Sequence, residues 1–132
     1  MLTLIVGLPN AGKTTYSKVF QNVLHFDEIK TTDKVCEQMK DKDEVVAEGV
    51  FGSKRQRQKV IAAYKGDYKR CIFLDVPLDE IIRREDRGRP LFMLRNAAAV
   101  FQPPTYAEGW DEIIRVNGEG LCERLLQQPG VE

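Results

Sequence analysis

Residues 7–14 read Gly7-Leu8-Pro9-Asn10-Ala11-Gly12-Lys13-Thr14 and meet the spacing G-x-x-x-x-G-K-[ST] at every fixed position. Glycines at 7 and 12 permit backbone torsions and a closeness of approach that a side chain would block. The loop's N–H groups then converge on a phosphate at a helix start, where the dipole favours an anion. Lys13 is placed for β- and γ-phosphate oxygens, and the Thr14 hydroxyl for Mg²⁺. The pattern therefore predicts an ATP and Mg²⁺ site built from Gly7, Pro9, Asn10, Ala11, Gly12, Lys13, Thr14 and Thr15.

A phosphate loop serves switches, motors and kinases alike, and three features favour phosphoryl transfer. The chain has neither an N-K-x-D guanine-reading sequence nor a D-x-x-G switch after its third apolar run, and it has little room for a motor's partner domains. It does carry Arg83-Arg84-Glu85-Asp86-Arg87-Gly88-Arg89. Arginines that close over a nucleotide stabilise charge spreading over the transferred oxygens, a role expected of Arg84 and Arg87. The plainer role is a solvated helix end.

Transfer also needs a carboxylate at the acceptor hydroxyl. Asp27 and Glu28 follow the second apolar run. Asp27, first out of it, is the expected general base, with Lys30 one turn on to hold an anion; the alternative is an N-cap for a helix starting at Ile29. Glu48 ends the third run in the same way, either ordering Lys13 or hydrated Mg²⁺, or contacting the turn at Gly49. Arg55 belongs to a basic stretch with Lys54, Arg57 and Lys59; such a stretch is usually a solvated face, but Arg55 follows Glu48 closely enough to meet a substrate phosphate. Phe51 is a weakly signalled stacking platform for single-stranded nucleic acid.

Alternating strands and helices must position these groups. Apolar runs at 2–6, 23–26, 45–47, 71–76 and 113–116 read as strands. Helical spacing covers 14–21, 29–40, 53–65, a segment beginning at Pro77, the stretch containing Leu91, Leu94, Ala98 and Phe101, and 120–127. Ser53 with Gln56 gives a capping-box start. Continuous apolar strands separated by helices imply a parallel sheet covered on both faces, with chemistry beyond the strands' carboxyl ends.

The whole is one α/β domain, residues 1–132, with a short arginine-rich lid around 83–90. The 42% hydrophobic content and the balance of 20 basic against 20 acidic residues argue against disorder and against a polybasic coat, though not against a local basic groove. No run approaches the roughly 18 apolar residues of a membrane span. Cys36, Cys71 and Cys122 lack metal-ligand spacing and read as reduced, mostly buried thiols of a cytoplasmic protein.

From Leu2 to about Val116 the chain resembles the kinase domain of polynucleotide 5′-hydroxyl kinases, within the adenylate-kinase-like P-loop phosphotransferases. The resemblance lies in residues 7–15, Asp27 with Lys30, Glu48-Gly49, Phe73-Leu74-Asp75-Val76-Pro77, Arg84 and Arg87, Leu94-Arg95, and the stretch Pro103-Pro104-Thr105-Tyr106-Ala107-Glu108-Gly109-Trp110. Asn10 replaces a glycine common in small kinases, Lys30 an arginine, and Glu48 a more usual aspartate. The resemblance implies a three-layer P-loop kinase fold with a five-stranded parallel sheet of order 2-3-1-4-5. It also implies that Asp27 activates a 5′-hydroxyl of RNA or DNA, that Lys13 and Arg84 stabilise the transferred phosphate, and that Lys30 holds the neighbouring nucleic-acid phosphate. Any repair or ligase partner would then be a separate chain. The competing expectations are a kinase of a small hydroxylated molecule (nucleoside, sugar acid or antibiotic) and a nucleotide-binding module with little turnover.

Overall fold

The computed structural model of the chain describes residues 1–126. Strand β1 (Leu2–Gly7) is buried along its whole length, as a continuous apolar run requires. It pairs in parallel with β3 (Val45–Gly49) on one side and β4 (Lys69–Asp75) on the other. The short β2 (Leu24–His25) adds outside β3, and β5 (Glu112–Asn117) outside β4, both also parallel. A sixth strand, β6 (Cys122–Leu125), runs antiparallel to β5, so the order is β2-β3-β1-β4-β5-β6.

Side chains alternate across β1, so the two sheet faces bury different sets. Leu2, Leu4 and Val6 pack with Val35 and Met39 of α3 (Thr32–Met39) and Val60 of α4 (Lys54–Ala63). Ile5, Ile72 and Leu74 pack with Ile81 of α5 (Leu78–Arg83) and Leu94 of α6 (Leu91–Val100). Each such fully buried aliphatic side chain contributes about 1.5–3 kcal/mol. Helices on both faces give the three layers expected from the sequence.

The expected order 2-3-1-4-5 is present, but the sheet is mixed rather than wholly parallel, because residues 120–126 do not form the expected closing helix (Gln127 lies outside the described residues). Asn117 Oδ1 accepts the N–H groups of Glu119 and Leu121 at 2.9 and 3.0 Å, and Gly120 takes a φ of +83°. This turn chemistry folds the chain back as a hairpin, overriding a weak helical spacing. The helix expected over 14–21 is the shorter α1 (Lys13–Ser17). The one expected over 29–40 is divided: α2 (Phe26–Ile29) ends at Lys30 with a φ of +83°, and α3 restarts on a Thr31 cap that accepts from Lys34 N at 3.1 Å. Ser53 caps α4 as expected, accepting from Gln56 N at 3.1 Å, but the Gln56 side chain turns to Thr32 instead of closing the box. Only Cys71 is fully buried; Cys36 is half-buried and Cys122 exposed. Among the described residues, no helix is long and apolar enough to cross a membrane.

Candidate active site

The connection leaving β1 runs outward to β2, whereas the one leaving the adjacent β3 runs back across β1 to β4, and such a switch point opens a crevice at the strands' carboxyl ends. The phosphate loop occupies it. Gly12, with a φ of +95°, takes a left-handed conformation suited to glycine and starts α1. At Gly7 a Cβ would meet the Leu74 carbonyl oxygen at 3.0 Å and the Ala11 Cβ at 3.2 Å, so the loop lies flush against β4. The Leu8 carbonyl closes the loop by accepting from Ala11 N at 3.1 Å and from Lys13 Nζ at 2.8 Å. Lys13 is thus folded back onto its own loop.

A cleft of about 280 Å³ faces the loop. Pro9, Asn10, Gly12, Lys13, Thr14 and Thr15 form its floor, Asp27 with Glu48, Gly49 and Val50 one wall, and Arg84, Asp86, Arg87 and Arg89 the other. Burial draws the Lys13 ammonium down from 10.5 to about 8. Glu48 and Asp27 act in the opposite sense and hold its proton on, while Arg89 adds to the depression. Both carboxylates are therefore electrostatically coupled to Lys13. Glu48 is buried, and its Oε1 lies 3.3 Å from His25 Nδ1. Asp27 is exposed in the first turn of α2 and does not cap a helix at Ile29; His25 occupies the cap position. Arg84 follows α5 directly, and its Nη1 donates to the Asn10 carbonyl at 3.2 Å.

Arg84, with Gly12 and Thr15, also borders a second, more apolar cavity of about 350 Å³. Tyr16, Leu74, Val76, Val116 and the Asn117–Gly118 turn line it, a surface suited to a nucleobase beside the phosphate loop. Sequence reasoning missed this cavity and Arg89. The signal for the cavity is the end of the fifth apolar run, by the rule that places chemistry beyond the strands' carboxyl ends. Arg89 was hidden among its arginine neighbours.

Three expected contacts are absent from this cleft. Lys30 and Arg55 are both exposed and outside its lining. Phe51 is 2% exposed, edge-on to Phe26 with ring centroids 5.3 Å apart, and so presents no face for a base to stack on. The basic stretch after Ser53 is not wholly a solvated face either. Arg57 is fully buried, donating to Glu108 at 2.7 and 2.9 Å and to the Phe51 carbonyl at 2.8 Å. Glu108 also accepts from Thr105 N at 2.8 Å and Trp110 Nε1 at 3.2 Å. The Thr105–Trp110 stretch, one of the marks of the family resemblance, thus anchors the core rather than the cleft.

Among the described residues, no group of three or more His, Cys, Asp or Glu side chains forms a metal cage. No family model matches the chain. A shikimate kinase from Clostridium botulinum (strain Loch Maree / Type A3) is 29% identical, with 78% of this chain and 76% of that enzyme covered. A gluconokinase structure from Sinorhizobium meliloti 1021 superposes with a TM-score of 0.70 at 11% identity, over 87% of this chain and 81% of its own. APS kinase from Mycobacterium tuberculosis, in complex with AMPPNP and APS, gives 0.58 at 15% identity, over 88% and 87%. Shikimate kinase from Aquifex aeolicus vf5 gives 0.56 at 16% identity, over 90% and 87%. The chain has the α/β fold of these kinases.

Proposed function

We propose that the chain is an ATP-dependent kinase that phosphorylates a hydroxyl of a small molecule, of the nucleoside, sugar-acid or antibiotic class. The observation that carries this reading is the composition of the cleft at the phosphate loop. Lys13, Arg84 and Arg87 face two carboxylates, Asp27 and Glu48, across the phosphate loop. The acceptor oxygen attacks the γ-phosphorus, the bond to the β-phosphate oxygen breaks, and ADP leaves. Asp27 takes the acceptor's proton, while Lys13 leaves the Leu8 carbonyl for the phosphate. Lys13 and Arg84 then meet the charge that spreads over the transferred oxygens. Thr14, with Glu48 through water, fits Mg²⁺, which keeps several waters and takes few protein ligands when phosphates share it. Bound there, the ion would neutralise β- and γ-phosphate charge.

A small acceptor is preferred over a strand end for two reasons. The groups expected to grip a polynucleotide, Lys30, Arg55 and Phe51, stand outside the cleft or inside the core. The similar proteins are named as kinases of shikimate, gluconate and APS. A 5′-hydroxyl end of RNA or DNA is the second reading, and one observation favours it: Lys30, exposed, lies one turn beyond Asp27.

Transfer from γ-labelled ATP to a panel of small hydroxylated compounds and to a 5′-hydroxyl oligonucleotide separates the readings. Label on small acceptors alone supports the proposal, and label on the oligonucleotide alone replaces it with the second reading. Label on neither, despite ATP binding, points to a nucleotide-binding module. Asp27→Asn is expected to lower transfer by about 100-fold or more while sparing ATP affinity; undiminished turnover removes Asp27 as the base.

A further inference from the structure

The side chain of Asn10 reaches across from the phosphate loop to the arginine-bearing segment, and every hydrogen-bonding group it has is engaged there. Its Nδ2 donates to the Ile81 carbonyl at 3.1 Å and to Glu85 Oε1 at 2.9 Å. Its Oδ1 accepts from Arg89 Nη2 at 2.6 Å. The Ile81 carbonyl lies in the last turn of α5, where the helix leaves its acceptors without internal partners. This set also fixes the amide's orientation, because a flipped carboxamide would set oxygen against two acceptors.

Glu85 is the other half of the junction. Its Oε1 also accepts from Arg89 Nε at 2.9 Å, and its Oε2 accepts the backbone N–H groups of Arg87 and Arg89 at 2.8 and 3.1 Å. The bond from Asn10, with those from Arg89 and Arg87, holds the Glu85 carboxyl down at about 2, so it stays ionised at any working pH. One carboxylate thus ties the turn carrying Arg87 and Arg89 to one carboxamide on the phosphate loop. Arg84 meets the same residue through the Asn10 carbonyl at 3.2 Å.

We infer that Asn10 and Glu85 are positioning residues for phosphoryl transfer: together they register the segment bearing Arg84, Arg87 and Arg89 on the phosphate loop, so that its arginines are set before the nucleotide arrives. A motif position that tolerates many residues is used here to bind the lid to the floor of the cleft. Neither side chain acts on the phosphate; they act through the arginines. The catalytic part of this inference rests on the phosphoryl-transfer reading, whereas the structural part does not.

The experiment compares wild type with Asn10→Gly, which suits the φ of +66° at that position, with Glu85→Ala, and with the double variant. Two quantities are read. The first is the rate of tryptic cleavage within residues 83–89 of the folded protein. It is expected to rise about tenfold or more in each single variant, as when a charge-assisted hydrogen bond is lost from a local opening, and to rise no further in the double. Wild-type cleavage in both single variants, or additive effects in the double, overturns the latch even if the protein proves not to be a kinase. The second is ATP turnover, measured with the acceptor found by the panel or with water. A fall of kcat by about 100-fold with the KM for ATP held within about threefold is expected of misplaced arginines. Unchanged kcat alongside accelerated cleavage overturns the positioning role, because the junction would then be structural only.

Discussion

Two stretches of this chain are rich in arginine and meet opposite fates. In residues 53–59, Arg57 is fully buried against Glu108, while Arg55 points to solvent. In residues 83–89, Arg84, Arg87 and Arg89 all line the cleft at the phosphate loop. Composition does not separate the two stretches; the element that carries each one does. Arg57 lies on a helix packed against the sheet, so its guanidinium meets the core and requires a buried carboxylate. The second stretch leaves a short helix at the carboxyl edge, where a turn fixed by Glu85 aims its cations across the cleft.

The contrast can be broken most sharply at Arg57. Arg57→Met strands Glu108 in the core and is expected to cost about 3–5 kcal/mol in denaturant unfolding, while ATP affinity per folded molecule is retained. Arg84→Ala should do the reverse. We expect a loss of about 10³-fold in turnover, at the low end for an arginine that stabilises transferred charge, with thermal unfolding nearly unmoved. Loss of fold in Arg84→Ala, or loss of activity with intact stability in Arg57→Met, would erase the distinction. Arg55→Ala marks the zero of the scale, with stability unchanged within about 0.5 kcal/mol and transfer to a small acceptor unaffected.

A smaller effect distinguishes the cleft by pH. The Lys13 pKa, about 8 in the folded protein, is depressed from 10.5, so between these values the folded state binds fewer protons than the unfolded chain. This group's contribution to stability therefore rises with pH from about 8 to 10.5 in the ligand-free protein. Bound phosphates favour the charged ammonium, so ATP binding is expected to take up protons above pH 8 and to weaken as pH climbs further. Calorimetry in two buffers of different ionisation enthalpy checks this, and a proton count of zero at pH 9 would contradict it.

Much of this was legible in the chain. Residues 7–14 announce the phosphate loop because glycine and lysine spacing there answers to backbone torsion and charge, which are local. The central strands β1, β3 and β4 are readable because a strand buried on both faces leaves a continuous apolar run, whereas β2 and β5, only partly buried, show in shorter runs. The carboxylates Asp27 and Glu48 follow from the rule that strand ends face the crevice. The features that stayed hidden depend on pairing across the chain. Nothing local marks Arg57 as buried or Phe51 as packed on Phe26, since their partners lie on other elements. Cys122–Leu125 reads as a strand only once the Asn117 side chain is seen organising the turn before it. Lys30 ends α2 through its own positive φ, a backbone state that no local signal in the sequence marks.

The placement of β1 between β3 and β4 also sets a schedule for folding. The strand that leads into the phosphate loop is the first in sequence, but its two edges are satisfied only by residues 45–49 and 69–74. During synthesis an apolar segment with both edges unpaired must therefore wait until residues 69–74 emerge. Non-local parallel pairing of this kind is slow and exposes aggregation-prone edges. The phosphate loop is thus encoded early but cannot be completed until β4 docks, and nucleotide binding is a readout of the assembled β3-β1-β4 core rather than of a locally formed motif.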